Sequence, residues 1–208
     1  MENYVITIAR HYGSGGKTIG QQLARELGIN CYDREIIRMA SDESGISEGL
    51  FGEADERLKN SPLRRIIKNV YEGQLIPPDS DDFSSNDNLF NYQAKVIREL
   101  ADTESCVIIG RCADFVLKDY KYVISVFVHA DKEFSMEKAK ERIGLPDKEV
   151  EKYIAKTDRQ RADYYKYYTG HEWNDARNYD LCLDSSKLGF EGCVKEIKSY
   201  MKIRFPEF

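Results

Sequence analysis

The residues with the clearest chemical potential crowd into one short stretch. In "ARHYGSGGKTIGQQLARELG" (9–28), Gly13, Ser14, Gly15 and Gly16 lead directly into Lys17 and Thr18. Backbone N–H groups in a glycine-rich turn, followed by a helix N-terminus, make a cradle for phosphate oxygens. Glycine suits such a turn because a Cβ would oppose its φ values and hold the ligand away from the backbone. Lys17 would place a point charge between transferring phosphates, and the Thr18 hydroxyl could ligate Mg²⁺. The pattern is a phosphate loop, G-x-x-x-x-G-K-[ST], with His11 standing where the first glycine belongs. Two other readings fit in part. A dinucleotide fingerprint would use Gly13, Gly15 and the more distant Asp33, but its third glycine falls on Thr18 and it leaves the lysine without a role. A purely structural turn would let the first helix pack close to a sheet, a role that suits Gly20 on its own.

Further candidates lie along the chain. Asp33, in "CYDRE", could cap a following helix through its carboxylate, with Arg34 beside it. Gly110 and Arg111 end the apolar run "VIIGR". In open α/β sheets ligands gather at the carboxyl ends of strands, so an arginine there points towards a site. Arg98, in "AKVIRELA", is explained nearly as well by a solvated helix face with Lys95 and Glu99. In "TDRQRADYYKYYTG" a regular helix puts Arg161 on one face with Tyr164, Tyr165 and Tyr168, and points Arg159 nearly opposite. Those tyrosines read as a packing face and Trp173 as an anchor. The three histidines, His11, His129 and His171, are scattered and suggest neither a zinc site nor a triad.

These residues need a scaffold, and the hydrophobic pattern supplies one. Strand-like runs at 4–9, 29–32, 105–111, 122–130 and 179–186 alternate with helix-like segments at 17–28, 33–43, 89–102 and 190–203, as in a parallel sheet covered on both faces. Residues 44–104 hold no convincing strand, and "PPDSDDFSSNDN" (77–88) reads as a mobile loop. Residues 144–178 are charged, tyrosine-rich and helical in spacing. The 208 residues suit a single domain spanning 1–208 with two excursions.

Composition narrows the function classes. A formal net charge of −5 disfavours a general grip on nucleic acid. No apolar run approaches the ~20 residues of a bilayer span, and the N-terminus enters a strand without a signal-peptide pattern. The five cysteines include no C-x-x-C pair, which argues against a disulfide framework or a zinc ribbon. Cys31, Cys106 and Cys182 lie in strand-like runs and are expected to be buried, reduced thiols of a cytoplasmic protein. The oligomeric state is left open.

Taken together, "ITIARHYGSGGKTIGQQLARELGINCYDREII", "VIIGRCADFVL" and "TDRQRADYYKYYTGHEWNDARNYDLCLDSS" resemble the cytidylate kinase-like family of P-loop phosphotransferases, relatives of the nucleoside monophosphate kinases. The resemblance implies an α/β P-loop three-layer sandwich with a five-stranded parallel sheet. It makes 44–104 a helical acceptor-binding insertion and 144–178 a lid. It implies ATP and Mg²⁺ as cofactors, small nucleotides as partners, and phosphoryl transfer to a nucleoside monophosphate, cytidylate first. By the same resemblance Gly13–Thr18 would hold ATP phosphates. Lys17, Arg161 and Arg159 would be catalytic, Asp33, Arg34, Arg98 and Arg111 would face the acceptor, and Thr18 and Asp33 would serve the metal. A nucleotide sensor without efficient transfer, or a kinase of another small acceptor, stays open beside it.

Overall fold

The computed structural model describes residues 2–57 and 74–206. Elements follow in the order β1 (Val5–Arg10), α1 (Gly16–Leu27), β2 (Asn30–Tyr32), α2 (Glu35–Ser44), α3 (Glu48–Arg57), α4 (Asn86–Thr103), β3 (Cys106–Ile109), α5 (Ala113–Val116), β4 (Val123–His129), α6 (Lys132–Ile143), α7 (Asp147–Thr169), β5 (Leu181–Asp184) and α8 (Ser185–Arg204). The strands form one parallel sheet in the order β2-β3-β1-β4-β5, with β1 in the middle. The part of the expected insertion at 58–73 lies outside the described residues.

Alternation along the strands divides the core in two. Ile6, Ile8, Val107 and Ile109 face α1 and α8, where Ile19, Leu23, Val194 and Ile197 meet them. Val5, Ala9, Cys106 and Ile108 face the other side, against α4, α5 and the end of α7. Burial of both sheet faces explains why these strands read as continuous apolar runs. The chain leaves β1 over one face, through α1, and leaves β3 over the other, through α5. Neighbouring strands whose connections diverge open a crevice at their carboxyl ends.

Helix α1 lies unusually close to the sheet. A Cβ on Gly20 would sit 2.5 Å from Ile109 Cδ1, so the packing role expected of this glycine is what the structure shows. Gly28, at φ 67°, ends the helix in the left-handed conformation that glycine adopts without strain.

Two local expectations change. The polar stretch 77–88 is tied down by Asn88, which is fully buried. Its amide oxygen accepts from the Ile76 N–H at 2.8 Å, and its amide nitrogen donates to the carbonyls of Phe83 (2.7 Å) and Ile76 (3.2 Å). Cys182 is exposed and Cys31 half-buried, whereas Cys106 is buried as expected. Strand β5 is an edge strand whose Leu181 and Leu183 take the covered face, which leaves Cys182 on the other. Within 144–178, Tyr165, Tyr168 and Trp173 are buried, in line with their reading as a packing face and an anchor. Phe90 stacks on Tyr168 with ring centroids 4.0 Å apart, and the Tyr168 hydroxyl donates to the Asn86 carbonyl at 3.0 Å.

Asn88→Ala leaves backbone groups unsatisfied in a dry place. It should cost about 2–3 kcal/mol of unfolding free energy in urea denaturation, against less than ~0.5 kcal/mol for the exposed Asp81→Ala control.

Candidate active site

The crevice begins where β1 ends. His11 donates its N–H to the Val128 carbonyl at 3.0 Å, which continues the β1–β4 pairing for one residue beyond β1. Ser14 is fully buried, and its hydroxyl donates to the His11 carbonyl at 2.9 Å. Gly13 and Gly15 take φ of 82° and 77°. Their surroundings leave no room for side chains. A Cβ on Gly13 would lie 2.4 Å from the Ser135 carbonyl oxygen, and one on Gly15 would lie 2.2 Å from the Phe190 ring. Gly15 is the N-cap of α1 and offers no side-chain cap, so the first-turn amides of Gly16, Lys17 and Thr18 are left for a ligand. The glycines of this loop are therefore required by close packing and by backbone conformation together.

Lys17 and Arg10 converge on Asp33. Lys17 Nζ donates to Asp33 Oδ2 at 2.8 Å, and Arg10 Nη2 lies 3.7 Å from Asp33 Oδ1. The capping role considered for Asp33 is not what its carboxylate does. Arg34 is the N-cap of α2 and makes no side-chain capping bond. Burial pushes the Asp33 carboxyl up, but the Lys17 hydrogen bond and the charges of Arg10 and Arg111 outweigh it and hold the group below its ordinary value. Burial, with the nearby charges of Arg161 and Arg111, brings Arg10 down to about 9 against the opposing pull of Asp33 and Asp158.

Helix α7 crosses the rim of this loop. Arg161 Nη1 donates to the Arg10 carbonyl at 2.9 Å and lies 3.4 Å from Asp158 Oδ1, while the same Asp158 oxygen accepts the Tyr12 N–H at 2.7 Å. The Tyr12 amide, directly before the glycine-rich turn, is thus held by a carboxylate of α7. Burial raises Asp158 to about 6 against the pull of the Tyr12 amide and Arg161. Because α7 is one regular helix, Arg159 faces water with 85% of its side chain exposed, 3.9 Å from Asp163.

Beside the loop opens a cavity of about 510 Å³. Among the described residues four arginines line it, Arg10, Arg34, Arg111 and Arg161, together with Asp33, Asp114 and Trp173. Arg111 and Cys112 both hold positive φ, 60° and 53°, directly after Gly110 at 75°. Each such non-glycine residue costs roughly 1–2 kcal/mol, and strain of this kind collects at functional sites. On the cavity wall Asp114 accepts the Tyr165 hydroxyl proton at 2.6 Å, and burial raises the carboxyl to about 6. Of the residues expected here, the structure brings Asp33, Arg34, Arg111 and Arg161 onto the cavity and Lys17 to its edge. It leaves Arg159 outside. Arg98 is half-buried on α4 near Tyr120 and is not among the lining residues. His11 packs edge-on against Phe127 and Trp173, and burial lowers its pKa. The sequence reading missed Arg10, Asp114 and Asp158. Arg10 carried one usable signal, its place as the last strand residue before a phosphate loop.

Among the described residues no three His, Cys, Asp or Glu side chains group as a metal cage. The donors present, one carboxylate from Asp33 and the exposed hydroxyl of Thr18, fit a magnesium ion that arrives with nucleotide phosphates.

The sequence profile of the cytidylate kinase-like family matches residues 5–187. The chain belongs to that family. It is a family of kinases, and membership implies use of ATP. The cytidylate kinase of Pyrococcus horikoshii is 24% identical over 199 residues, which span 95% of this chain and 88% of that protein. The crystal structure of an uncharacterized protein from Eubacterium ventriosum superposes with a TM-score of 0.70 at 26% identity, covering 96% of this chain and 99% of that one. Shikimate kinase from Bacteroides thetaiotaomicron, at 13% identity and a TM-score of 0.55 over 96% of this chain and 98% of its own, shares the P-loop kinase fold.

The half-buried Asp114 provides a pH test. Its folded pKa lies above the unfolded value, so ionising it costs stability as pH rises from about 4 to about 6 and the cost persists above. Asp114→Asn removes that cost. The melting temperature of the variant relative to wild type should therefore climb with pH across this window, by on the order of 5 °C, in thermal melts between pH 4 and 7.

Proposed function

We propose that the protein transfers the γ-phosphoryl group of ATP to a nucleoside monophosphate, with cytidylate the leading acceptor. The observation that carries this reading is the Lys17–Asp33 contact at 2.8 Å, which joins the phosphate loop to an arginine-lined cavity of nucleotide size. The cytidylate kinases among its relatives support the choice of base.

In the reaction an acceptor phosphate oxygen forms a bond to the γ-phosphorus. The bond between that phosphorus and the β,γ-bridging oxygen breaks, and ADP leaves with the electron pair. No side-chain nucleophile takes part. The loop amides and Lys17 hold the donor phosphates, and Asp33 keeps the Lys17 ammonium aimed until they arrive. Thr18 and Asp33 would hold Mg²⁺, which supplies charge neutralisation when bound. Arg111 grips the acceptor. Arg161, reaching down from α7, offsets charge on the transferred group and couples the lid to the loop through the Arg10 carbonyl. Alignment of two bound reactants can contribute ~7–11 kcal/mol of the barrier, the largest share asked of any one effect.

A coupled ADP-release assay across a panel of nucleoside monophosphates tests the reading. Cytidylate-stimulated release supports it, whereas ATP binding with no acceptor-stimulated release sinks it. Lys17→Ala should lower kcat/KM by 10² or more while the protein still melts cooperatively.

The two lid arginines should separate in the same assay. Arg161→Ala is expected to lose ~10–100-fold in kcat, and the solvent-facing Arg159→Ala less than ~3-fold. Equal losses would place both side chains at the transferred phosphate.

A further inference from the structure

We infer that Arg10 binds the phosphate of the acceptor, and that the cavity selects a phosphomonoester dianion over a neutral or singly charged acceptor. The inference deepens the phosphotransferase reading above and rests on it.

The seat of this side chain is built from three separate segments. Arg10 closes the central strand, between the Lys17–Asp33 pair and the cavity. A Cβ on Gly16 would lie 2.5 Å from Arg10 Cβ, and a Cβ on Gly110 would lie 2.4 Å from Arg10 Nη1. Two glycines, one opening α1 and one ending β3, are therefore bare where the arginine passes. Arg161 holds the Arg10 carbonyl from a third direction.

The guanidinium so placed is only loosely compensated. Its side chain is 20% exposed. Among the described residues the carboxylate paired with it is Asp33, at 3.7 Å, beyond hydrogen-bonding distance. The other Asp33 oxygen is engaged by Lys17. The charges of Arg161 and Arg111 oppose that of Arg10, while those of Asp33 and, more weakly, Asp158 support it. A guanidinium offers five donors in a planar fork, and here they border a cavity that three more arginines also line. Such crowding is unfavourable in the empty protein and becomes favourable when a multiply charged anion enters. Lys17, at the head of α1, addresses the donor phosphates. The anion facing Arg10 and Arg111 is then the acceptor's own phosphate, and a carboxylate or hydroxyl acceptor would leave several of these donors unmatched.

Calorimetric titration of cytidylate, cytidine and ATP into wild type, Arg10→Gln and Arg10→Lys tests the assignment. The lysine variant keeps a charged aliphatic stem in the seat should the glutamine variant fold poorly, and thermal melts confirm folding. Cytidylate affinity should fall ~30-fold or more in Arg10→Gln and ~10-fold in Arg10→Lys, with cytidine and ATP changed less than ~3-fold. Cytidylate binding within threefold of wild type in the folded variants overturns the proposal. So does an equal loss of ATP, which would assign Arg10 to the donor. If wild type binds no nucleoside monophosphate, the acceptor reading falls. Inorganic phosphate titrated into ADP-saturated protein then decides on Arg10 alone: binding lost in Arg10→Gln upholds its role, and binding unchanged or undetectable in wild type removes it. Trp173, the single tryptophan of the chain and a cavity residue, gives a second readout by fluorescence.

Discussion

Two cations and one carboxylate meet where β1 and β2 end, and much of the surrounding structure can be understood as keeping them charged and close. Removing water from charges is expensive unless they are paired. Asp33 answers this by dividing its two oxygens between Lys17 and Arg10. The arrangement alternates in sign from the loop to the cavity, Lys17 to Asp33 to Arg10. Gly16 and Gly110 make the space, and Arg161 fixes the backbone from which Arg10 springs.

The division of α7 follows from the same geometry. Its carboxyl end belongs to the core, through Tyr165 and Tyr168, while Arg161 and Asp158 touch the loop one and two turns before Tyr165. At its amino-terminal end the helix is seated again, by the fully buried Val150 and by packing on α6. Its contacts to Tyr12 and Arg10 therefore tie the Gly13–Thr18 loop to a helix held at both ends.

Much of this was legible in the sequence. The strands β1, β3 and β4 announce themselves as apolar runs because both sheet faces are covered, and α1 is marked by glycine at both ends. The opposite headings of Arg159 and Arg161 follow from the helical repeat alone. Other features depend on distance in the chain. The stretch 77–88 looked loose because composition counts polar residues but does not reveal that Asn88 is buried under them. Cys182 looked buried because an edge strand carries the same local pattern as a central one. Arg10 looked like an ordinary strand end, since its partners Asp33 and Gly110 lie on other elements. The tyrosines of α7 were recognisable as a packing face, but Asp114, which gives Tyr165 its partner, sits 51 residues away from it.

Strand β5 and the start of α8 have a consequence for how the protein comes into being. The Ser185 hydroxyl donates to the carbonyls of Ser14 (2.7 Å) and His129 (3.1 Å), and Phe190, just past the break at Gly189, fills the space beneath Gly15. A segment near the amino end is thus moulded by one made some 171 positions later. On the ribosome, the nascent chain carries every residue of the Gly13–Thr18 loop long before it carries the wall that shapes it. The loop can therefore take its final form only after Ser185 and Phe190 have been made.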